Sequence, residues 1–372
     1  MNTATQFPRP RFAASREAVA QRLNDLQPVN YGRTRNFVNG QVSYLSPYIS
    51  RGVLSTKKVL QYIKEQGHDL KQCEKFVQEL AWRDYWQEVW RSKGDTINRD
   101  LKRPQPDARF SGIPVALQNA QTGIEAIDEA VKVLYETGYM HNHLRMYVAA
   151  LACNVARCHW HNPAQWMYYH LLDGDWASNA LSWQWVAGSN SGKKYVANQE
   201  NINRYTGSTQ RRTFLDIPYE DFEQMAIPPV LSDVQALTLR TELPETPAPE
   251  LKPDLPLLVY HSYHLDPDWH ADLEANRVLL LEPELFERYP VSERVLGFIL
   301  DCAKLTQGLQ VYCGSFSSLQ KIYGGQDIRW KDHPLCAHYI GTPEAPDRMF
   351  PVTGYFPSFF AFWKQCQKHI AW

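Results

Sequence analysis

The sequence predicts a mainly α protein, in which an all-helical first domain is followed by a small α/β domain. Apolar residues recur at helical spacing through much of residues 1–225. Prolines then crowd residues 226–256, which we interpret as a partly extended linker. Beyond it, in residues 257–372, short apolar runs of strand length alternate with a helical stripe, a pattern typical of an α/β layer.

Individual helices and strands are predicted from the spacing of apolar residues and from the residue types that begin and end helices. Three helices of the first domain are predicted: residues 76–89, residues 122–138 with a Thr122–Glu125 capping box and a Gly138 stop, and residues 143–157 capped by Asn142. The second domain is predicted to hold three strands and one helix: strands at 257–260, 278–281 and 309–312, and a helix over 292–305.

Composition limits the classes of function. Lys and Arg total 39 against 40 Asp and Glu, so the chain has no net positive charge of the kind that indicates a nucleic-acid partner. Binding of nucleic acid must therefore be argued from particular positions. The seven cysteines contain no CxxC pair and no disulfide framework, which indicates reduced thiols. We find no signal peptide and no run of 18 apolar residues, so we expect a cytoplasmic protein without a membrane partner.

Two short motifs indicate binding of a polar ligand. In Asp173-Gly-Asp175 a turn can present both carboxylates to hydroxyl or amide groups, although an aspartate before a helix also caps it. Ser43 and Ser46, with the amide of Leu45 between them, can bind pyrophosphate oxygens at a helix start. Taken alone, each motif is explained equally well by an ordinary helix start.

Five blocks in a fixed order carry a resemblance to a known family. They are YGRTRNF (31–37), SYLSPYIS (43–50), QELAWRDYW (78–86), TGYMHNHLRM (137–146) and LLDGDWASNALSWQW (171–185). Their order and spacing resemble the photolyase/cryptochrome family, and they span about half of the chain. The resemblance implies an all-helical photolyase-like domain that binds FAD for light-driven electron transfer.

The resemblance also implies residue roles around the flavin. The positions that match the family's FAD-binding residues are Tyr31, Ser43, Leu45, Ser46, Arg83, Asn142, Arg145, Asp173 and Asp175. Arg145 is expected either to pair with Asp173 or to lie on the flavin face. Asn179 matches the position that faces flavin N5, where an amide can hydrogen-bond without supplying an acidic proton. This residue favours repair over plant-type photosensing.

Two tryptophans match an electron-transfer chain. Trp183 and Trp160 correspond to members of the family's line of oxidisable indoles, although core packing explains any single tryptophan equally well. The third, outermost position falls within residues 107–117, which contain no tryptophan. Either another aromatic residue completes the route or photoreduction works differently; the alternatives are Trp90, Trp166 and Tyr168.

Five further residues match the lesion pocket of cyclobutane-dimer photolyases, namely Arg35, Glu79, Trp82, Met146 and Trp185, and His143 occupies a sixth position of that pocket. Trp82 and Trp185 would form an apolar wedge for two coupled pyrimidines, and Glu79 would hydrogen-bond the lesion. Met146 favours the cyclobutane type. At the position of His143 the family commonly has an arginine. Its replacement weakens electrostatic binding of duplex DNA and favours single-stranded or easily flipped lesions.

Metal chemistry is the competing interpretation, since histidines and cysteines cluster between residues 141 and 170. Their spacing fits no standard zinc site and gives little support to an iron–sulfur cluster, so no metal is predicted. The cluster consists of His141, His143, Cys153, Cys158, His159, His161 and His170.

The order of domains is unusual for the family. Thirty residues precede Tyr31, too few for the usual N-terminal antenna domain, and we expect a short member that lacks it. ANQENINRYTG (197–207) resembles bacterial members of the iron–sulfur branch, and residues 277–300 faintly resemble the antenna domain, placed after the flavin domain. The sequence therefore predicts light-driven repair of pyrimidine dimers in DNA, with a cryptochrome-like blue-light photoreceptor as the alternative.

Overall fold

In the computed structural model, which describes residues 6–370, the chain packs into two compact units, each assembled from separate stretches of sequence. The first unit comprises Met1–Arg11, Gln27–Val42 and Asp95–Leu239; the second comprises Phe12–Leu26, Ser43–Gly94 and Arg240–Trp372. These units group segments by packing. The domains 1–225 and 257–372 with the linker 226–256, which divide the chain by composition, stay a prediction.

Helices dominate the chain up to residue 206. In chain order the α-helices are α1 (Arg16–Asn24), α2 (Pro28–Thr34), α3 (Ser46–Ser50), α4 (Thr56–Glu65), α5 (Glu74–Lys93), α6 (Val115–Gln118), α7 (Glu125–Thr137), α8 (Asn142–Ala150), α9 (His161–His170), α10 (Trp176–Ala187), α11 (Gln199–Thr206), α12 (Pro283–Arg288), α13 (Glu293–Ala303), α14 (Phe316–Tyr323) and α15 (Phe359–Cys366).

The strands form one short antiparallel pair and one five-stranded parallel sheet. They are β1 (Ile113–Pro114), β2 (Val234–Gln235), β3 (Leu257–Tyr260), β4 (Asn276–Leu281), β5 (Leu309–Cys313), β6 (Ile328–Lys331) and β7 (Thr342–Glu344). β1 pairs with β2, and the sheet has the order β5-β4-β3-β6-β7. The predicted fold class, a helical part followed by a small α/β part, is confirmed.

The position of each strand in the sheet explains which strands could be predicted from the sequence. Every residue of β3 is buried, and β4 is nearly so, because neighbouring strands and helices cover the centre of a parallel sheet. These strands therefore appear as continuous apolar runs. β6 alternates buried and half-buried residues, and β7 carries Pro343 at the sheet edge. Neither has an apolar run, and the sequence prediction missed both.

The start of α7 differs from the predicted capping box. Thr122 does lie before the helix, but its Oγ1 donates a hydrogen bond to Oδ1 of Asp128 at 2.7 Å. Oδ2 of the same carboxylate accepts from the amide of Gly123 at 3.1 Å. The carboxylate that secures the helix start is therefore Asp128, and the predicted role of Glu125 is wrong. Gly138 ends the helix in a left-handed conformation with φ +71°, as predicted.

The predicted cap of α8 is also wrong by one residue. Nδ1 of His141 accepts a hydrogen bond from the amide of His143 at 3.2 Å, so His141 is the cap and Asn142 is the first helical residue. After Ala150 the helix widens into a π-helical segment at residues 151–155, which ends before the predicted limit at Arg157. Such widenings often lie near functional sites.

Within the second unit, the later part of the proline-rich segment is fixed by hydrogen bonds although it contains no helix or strand from residue 240 to 256. Oγ1 of Thr241 donates to the carbonyl of Val291 at 2.9 Å, and Oγ1 of Thr246 accepts from the amide of Cys313 at 2.8 Å. The amide of Glu250 donates to Oε1 of Gln310 at 2.8 Å. These bonds tie residues 241–250 to the α/β elements of the second unit.

Three buried histidines lie together in the second unit. His261 follows β3 and His333 follows β6, and their ring centroids are 5.3 Å apart; His264 lies 6.0 Å from His261. Nε2 of His261 lies 3.0 Å from the carbonyl of Lys331, and its Nδ1 accepts from the amide of Tyr263. Burial lowers the pKa of His261 to about 4 and holds the pKa of the other two well below the usual range.

Acidification should therefore destabilise the protein. The unfolded chain binds protons at these histidines near pH 6.5 while the folded chain does not, so stability is lost as the pH falls from about 6.5 towards 4. We expect His261 alone to remove about 2 kcal/mol of unfolding free energy between pH 7 and pH 5. Urea unfolding at both pH values measures this. The H261Q variant should show a flatter pH dependence, and equal stability of the unsubstituted protein at both pH values would contradict the assignment.

Among residues 6–370, no helix combines the length and the apolar character that crossing a bilayer requires.

Candidate functional site

The Asp-Gly-Asp turn lies between α9 and α10 in the first unit. The amide of Leu172 donates to the carbonyl of Gly138 at 2.8 Å, which ties the turn to the end of α7. A Cβ on Gly174 would lie 2.9 Å from the carbonyl oxygen of Leu171, so glycine is required for this close approach. The turn thus holds Asp173 and Asp175 in a fixed backbone, and both are buried.

The two aspartates have different partners. Nη2 of Arg145 donates to both carboxylate oxygens of Asp173, at 2.8 and 3.0 Å, and Nε of Arg145 donates to the carbonyl of Met140 at 2.8 Å. Of the two expected placements for Arg145, the structure shows the ion pair. Oδ1 of Asp175 accepts from the amide of Ser178 at 2.8 Å, so Asp175 caps α10. The capping interpretation considered from sequence applies to Asp175 and not to Asp173.

Asn179 lies one turn into α10 and is half-buried. Its Nδ2 donates to the carbonyl of Ala164 on α9 at 2.8 Å. This bond uses one of the two N–H groups of the amide and fixes the orientation of the side chain, and no residue among 6–370 donates a hydrogen bond to its Oδ1. The side chain therefore offers a fixed acceptor without an acidic proton.

The predicted electron-transfer tryptophans are both buried in the first unit. Trp160 immediately precedes α9 and Trp183 lies on α10, and these two helices pack against each other. The ring of Trp160 lies 5.2 Å from that of His161, which lies 5.9 Å from Trp176. Of the alternatives for an outer relay, Trp166 and Tyr168 are buried in this unit, and Trp90 is buried in the second.

His143 packs among aromatic residues. Its ring lies 4.6 Å from Tyr205 and 4.7 Å from Tyr147, and its Nδ1 is 2.8 Å from the carbonyl of Asn36. Burial is the main cause that lowers the pKa of His143. The ring is therefore uncharged at neutral pH and adds no positive charge where the family resemblance places a phosphate contact.

The other predicted substrate and cofactor residues of this unit lie at helix ends and faces. Trp185 on α10 is 42% exposed, with the ring of Tyr195 6.1 Å away. Met146 is half-buried on α8. Tyr31 lies on α2, and Arg35 follows that helix and donates from Nη1 to the carbonyl of Gly32 at 3.1 Å. An exposed indole of this size is the kind of surface on which a base stacks.

In the second unit, α5 carries three predicted residues on one face. Glu79, Trp82 and Arg83 are spaced by three and four residues, which brings them together along a helix. Trp82 stacks on Phe359 of α15, with centroids 3.9 Å apart and planes inclined by 10°. Phe359 thus covers one face of this indole. Its position near the C-terminus carried no signal in the sequence.

The predicted pyrophosphate turn also belongs to the second unit. Tyr44 has φ +51°, which is uncommon for a residue with a side chain, and Leu45 follows in a right-handed helical conformation before α3. Alternating left- and right-handed backbone points successive amides the same way and forms an anion-binding concavity. Ser43 Oγ accepts from the amide of Leu45 at 3.4 Å. The roles of Ser43, Leu45 and Ser46 stay a prediction.

The part of the chain that the structure describes brings no three His, Cys, Asp or Glu side chains together in a way that could hold a metal ion.

Comparison with known proteins finds matches over part of the chain. Residues 76–212 match the family described as the FAD binding domain of DNA photolyase. The deoxyribodipyrimidine photo-lyase of Streptomyces griseus is 34% identical over 149 residues, which are 40% of this chain and 32% of that protein. The enzyme of the same name from Synechococcus is 31% identical over 183 residues, 46% of this chain and 38% of that protein. The chain spans about a third of the length of the curated relatives it matches.

Among solved structures, a cryptochrome of Synechocystis matches part of this chain. It is 23% identical, with a TM-score of 0.46 over 56% of this chain and 46% of that chain. A class III photolyase of Agrobacterium tumefaciens is 24% identical, with a TM-score of 0.43 over 51% of this chain and 44% of that chain.

Proposed function

We propose that this chain belongs to the family whose model, the FAD binding domain of DNA photolyase, matches residues 76–212, and that it repairs cyclobutane pyrimidine dimers in DNA by light-driven electron transfer. Relatives that match over part of their length are named deoxyribodipyrimidine photo-lyase. Bound reduced FAD supplies the photo-excited electron, and the protein supplies binding, orientation and exclusion of water. The cytoplasmic location expected from sequence belongs to the same proposal.

The residues of the first unit fit such a cofactor. FAD presents ribityl and ribose hydroxyls, which require acceptors, and the buried Asp173 and Asp175 are carboxylates held in a rigid turn. Arg145 pairs with Asp173 and holds its carboxylate oxygens in place. Asn142, exposed at the first position of α8, and Tyr31 on α2 are the further residues of this unit proposed to hold the cofactor.

The observation that carries the repair proposal is the orientation of the Asn179 amide. One N–H of the amide donates to the carbonyl of Ala164, which orients the side chain and leaves Oδ1 as an acceptor. An acceptor at the flavin N5 position suits a nitrogen that carries hydrogen, as it does in reduced flavin. The amide also has no proton to give away, unlike a carboxylic acid at this site. The side chain therefore supports the reduced state from which an electron is donated.

The substrate is proposed to be DNA that contains pyrimidine dimers, with single strands favoured. The exposed indole of Trp185 offers a stacking surface, while the neutral ring of His143 lowers the charge available for phosphates. A single strand exposes the lesion without the cost of unpairing and unstacking a duplex. Weak electrostatic attraction is therefore a smaller handicap with single strands than with duplex DNA.

A specific observation supports the alternative, a blue-light photoreceptor without repair activity. Phe359 covers one face of Trp82, one of the two indoles expected in the lesion pocket. Stacking of a base on Trp82 is therefore restricted to the other face of the indole.

Illumination of reduced protein with dimer-containing oligonucleotide, in single and double strands, tests the proposal. We expect dimer loss in the light and none in a matched dark sample, with faster loss from the single strand. The W185A variant should repair more slowly because it lacks the stacking surface. Normal flavin photoreduction with no dimer loss from either substrate would reject repair and support the photoreceptor.

A further inference from the structure

The indole N–H of Trp160 is hydrogen-bonded to a carboxylate. Trp160 is fully buried, and its Nε1 donates to Oδ1 of Asp100 at 2.7 Å. The amide of Gln105 donates to Oδ2 of Asp100 at 2.8 Å, and Oε1 of Gln105 accepts from the amide of Trp160 at 2.8 Å. The ring of the tryptophan is therefore held by Asp100 and its backbone amide by Gln105, both in the loop of residues 100–105.

A second tryptophan of the same unit provides a contrast. Nε1 of Trp176 donates to Oδ1 of Asn98, also at 2.7 Å. The geometry is the same but the acceptor is an amide, which accepts a hydrogen bond and does not take up a proton at neutral pH. A carboxylate can do both. The chain thus places a proton-accepting group beside the tryptophan that matches the electron-transfer chain.

Building on the proposed flavin photochemistry, we propose that Asp100 accepts the Nε1 proton of Trp160 when this indole is oxidised. One electron passes from Trp160, by way of Trp183, to a photo-excited oxidised flavin, and the Nε1–H bond breaks. The proton forms an O–H bond on Oδ1 of Asp100. The products on this chain are a neutral indolyl radical and a neutral carboxylic acid, and return of the electron requires return of the proton.

This step gives a reason why the route can end without a third tryptophan. No tryptophan occurs in residues 107–117, where the family resemblance places the outermost member. Loss of the proton holds the oxidised state on Trp160, because the electron alone no longer restores the starting indole. The side chain of Asp100 is 22% exposed, and Nε2 of His159, 3.2 Å from its Oδ1, is on a side chain 35% exposed. The proton therefore has a path to water.

Three titratable groups face the indole and its acceptor. Besides Asp100, they are His159 on the preceding residue and His161, whose ring lies 5.2 Å from that of Trp160. Burial lowers the pKa of His161, which favours its neutral form at neutral pH. A neutral ring adds no charge that would repel a proton moving to Asp100.

Flash photolysis of FAD-loaded protein in the oxidised state tests the step. In the unsubstituted protein we expect a deprotonated tryptophan radical whose formation slows in D₂O. Asp100→Asn keeps the acceptor oxygen but takes up no proton, so its radical should stay protonated and return to the ground state about tenfold faster. Asn98→Ala, which removes the matched bond of Trp176, should leave the protonation state of the radical unchanged.

A dark measurement checks the hydrogen bond without light or turnover. In protein labelled with ¹⁵N-tryptophan, the Trp160 indole proton should resonate downfield, because its acceptor is charged, and should move upfield in D100N. A radical in the same protonation state in unsubstituted protein and D100N would overturn the role of Asp100. Absence of an isotope effect in the unsubstituted protein would overturn it without any variant. Absence of any tryptophan radical would instead reject the proposed flavin photochemistry, and the inference with it.

Discussion

Replacement of Glu79 by glutamine should lower light-driven dimer repair by about 10- to 100-fold while bound FAD is retained. Glu79 lies three residues before Trp82 on α5, so the two side chains share one face of the helix. We propose that Glu79 accepts hydrogen bonds from the lesion as a carboxylate, or, when protonated, donates one to the radical anion that forms on it. Glutamine keeps the size of the side chain but removes its charge, which weakens such bonds.

The matched control is Glu74→Gln on the same helix. Glu74 lies in the first turn of α5, and its Oε1 accepts from the side-chain amide of Gln78 at 3.2 Å. It carries the same charge as Glu79 but lies five residues away, on another face of the helix. Repair rates and flavin content of both variants should be measured together. Loss of flavin in E79Q, or unchanged repair, would refute the assignment of Glu79 to the substrate.

Replacement of Asp173 by asparagine should remove FAD from the purified protein. The side chain of Asp173 is 4% exposed and accepts both hydrogen bonds from Nη2 of Arg145. Without its charge the guanidinium loses its counterion, which we expect to cost about 3 kcal/mol of unfolding free energy. The change also removes a charged acceptor for the cofactor hydroxyls. Flavin absorbance and urea unfolding of the same preparation measure both effects.

A double variant separates loss of the cofactor from loss of the fold. Combining Asp173→Asn with Arg145→Gln removes both charges, so it should recover most of the lost stability because no unpaired charge remains. It should still bind no FAD. Asp216→Asn, an exposed aspartate that accepts from the amide of Arg212 at 2.8 Å, should keep both flavin and stability. Normal flavin content in D173N would contradict the assignment.

Elements with a strong local pattern could be predicted from the sequence. The all-buried β3 is a plain apolar run, and Gly138 ends α7 where the stripe stops. Capping residues were harder to predict, because several side chains near a helix start can accept a hydrogen bond from the same backbone amide. Asp128 and not Glu125 secures the start of α7, and His141 and not Asn142 caps α8. The position of a residue in the sequence did not by itself show which of these nearby residues caps the helix.

Contacts between distant residues could not be read from the sequence. The Asp100–Trp160 bond joins residues sixty positions apart, and the Trp82–Phe359 stack joins the middle of the chain to its C-terminus. Neither Asp100 nor Phe359 belongs to a motif. The ordered blocks did identify Asp173, Arg145 and Asn179, and the structure then showed that the first two form an ion pair and that the third is oriented by Ala164.

The central claim is that this chain binds FAD through the turn that carries Asp173 and Asp175, and the flavin content of the purified protein tests it most directly. We expect a yellow protein that releases FAD on heating in an amount equimolar with the polypeptide. A colourless protein that neither contains FAD nor takes it up when FAD is added to the folded chain would contradict it.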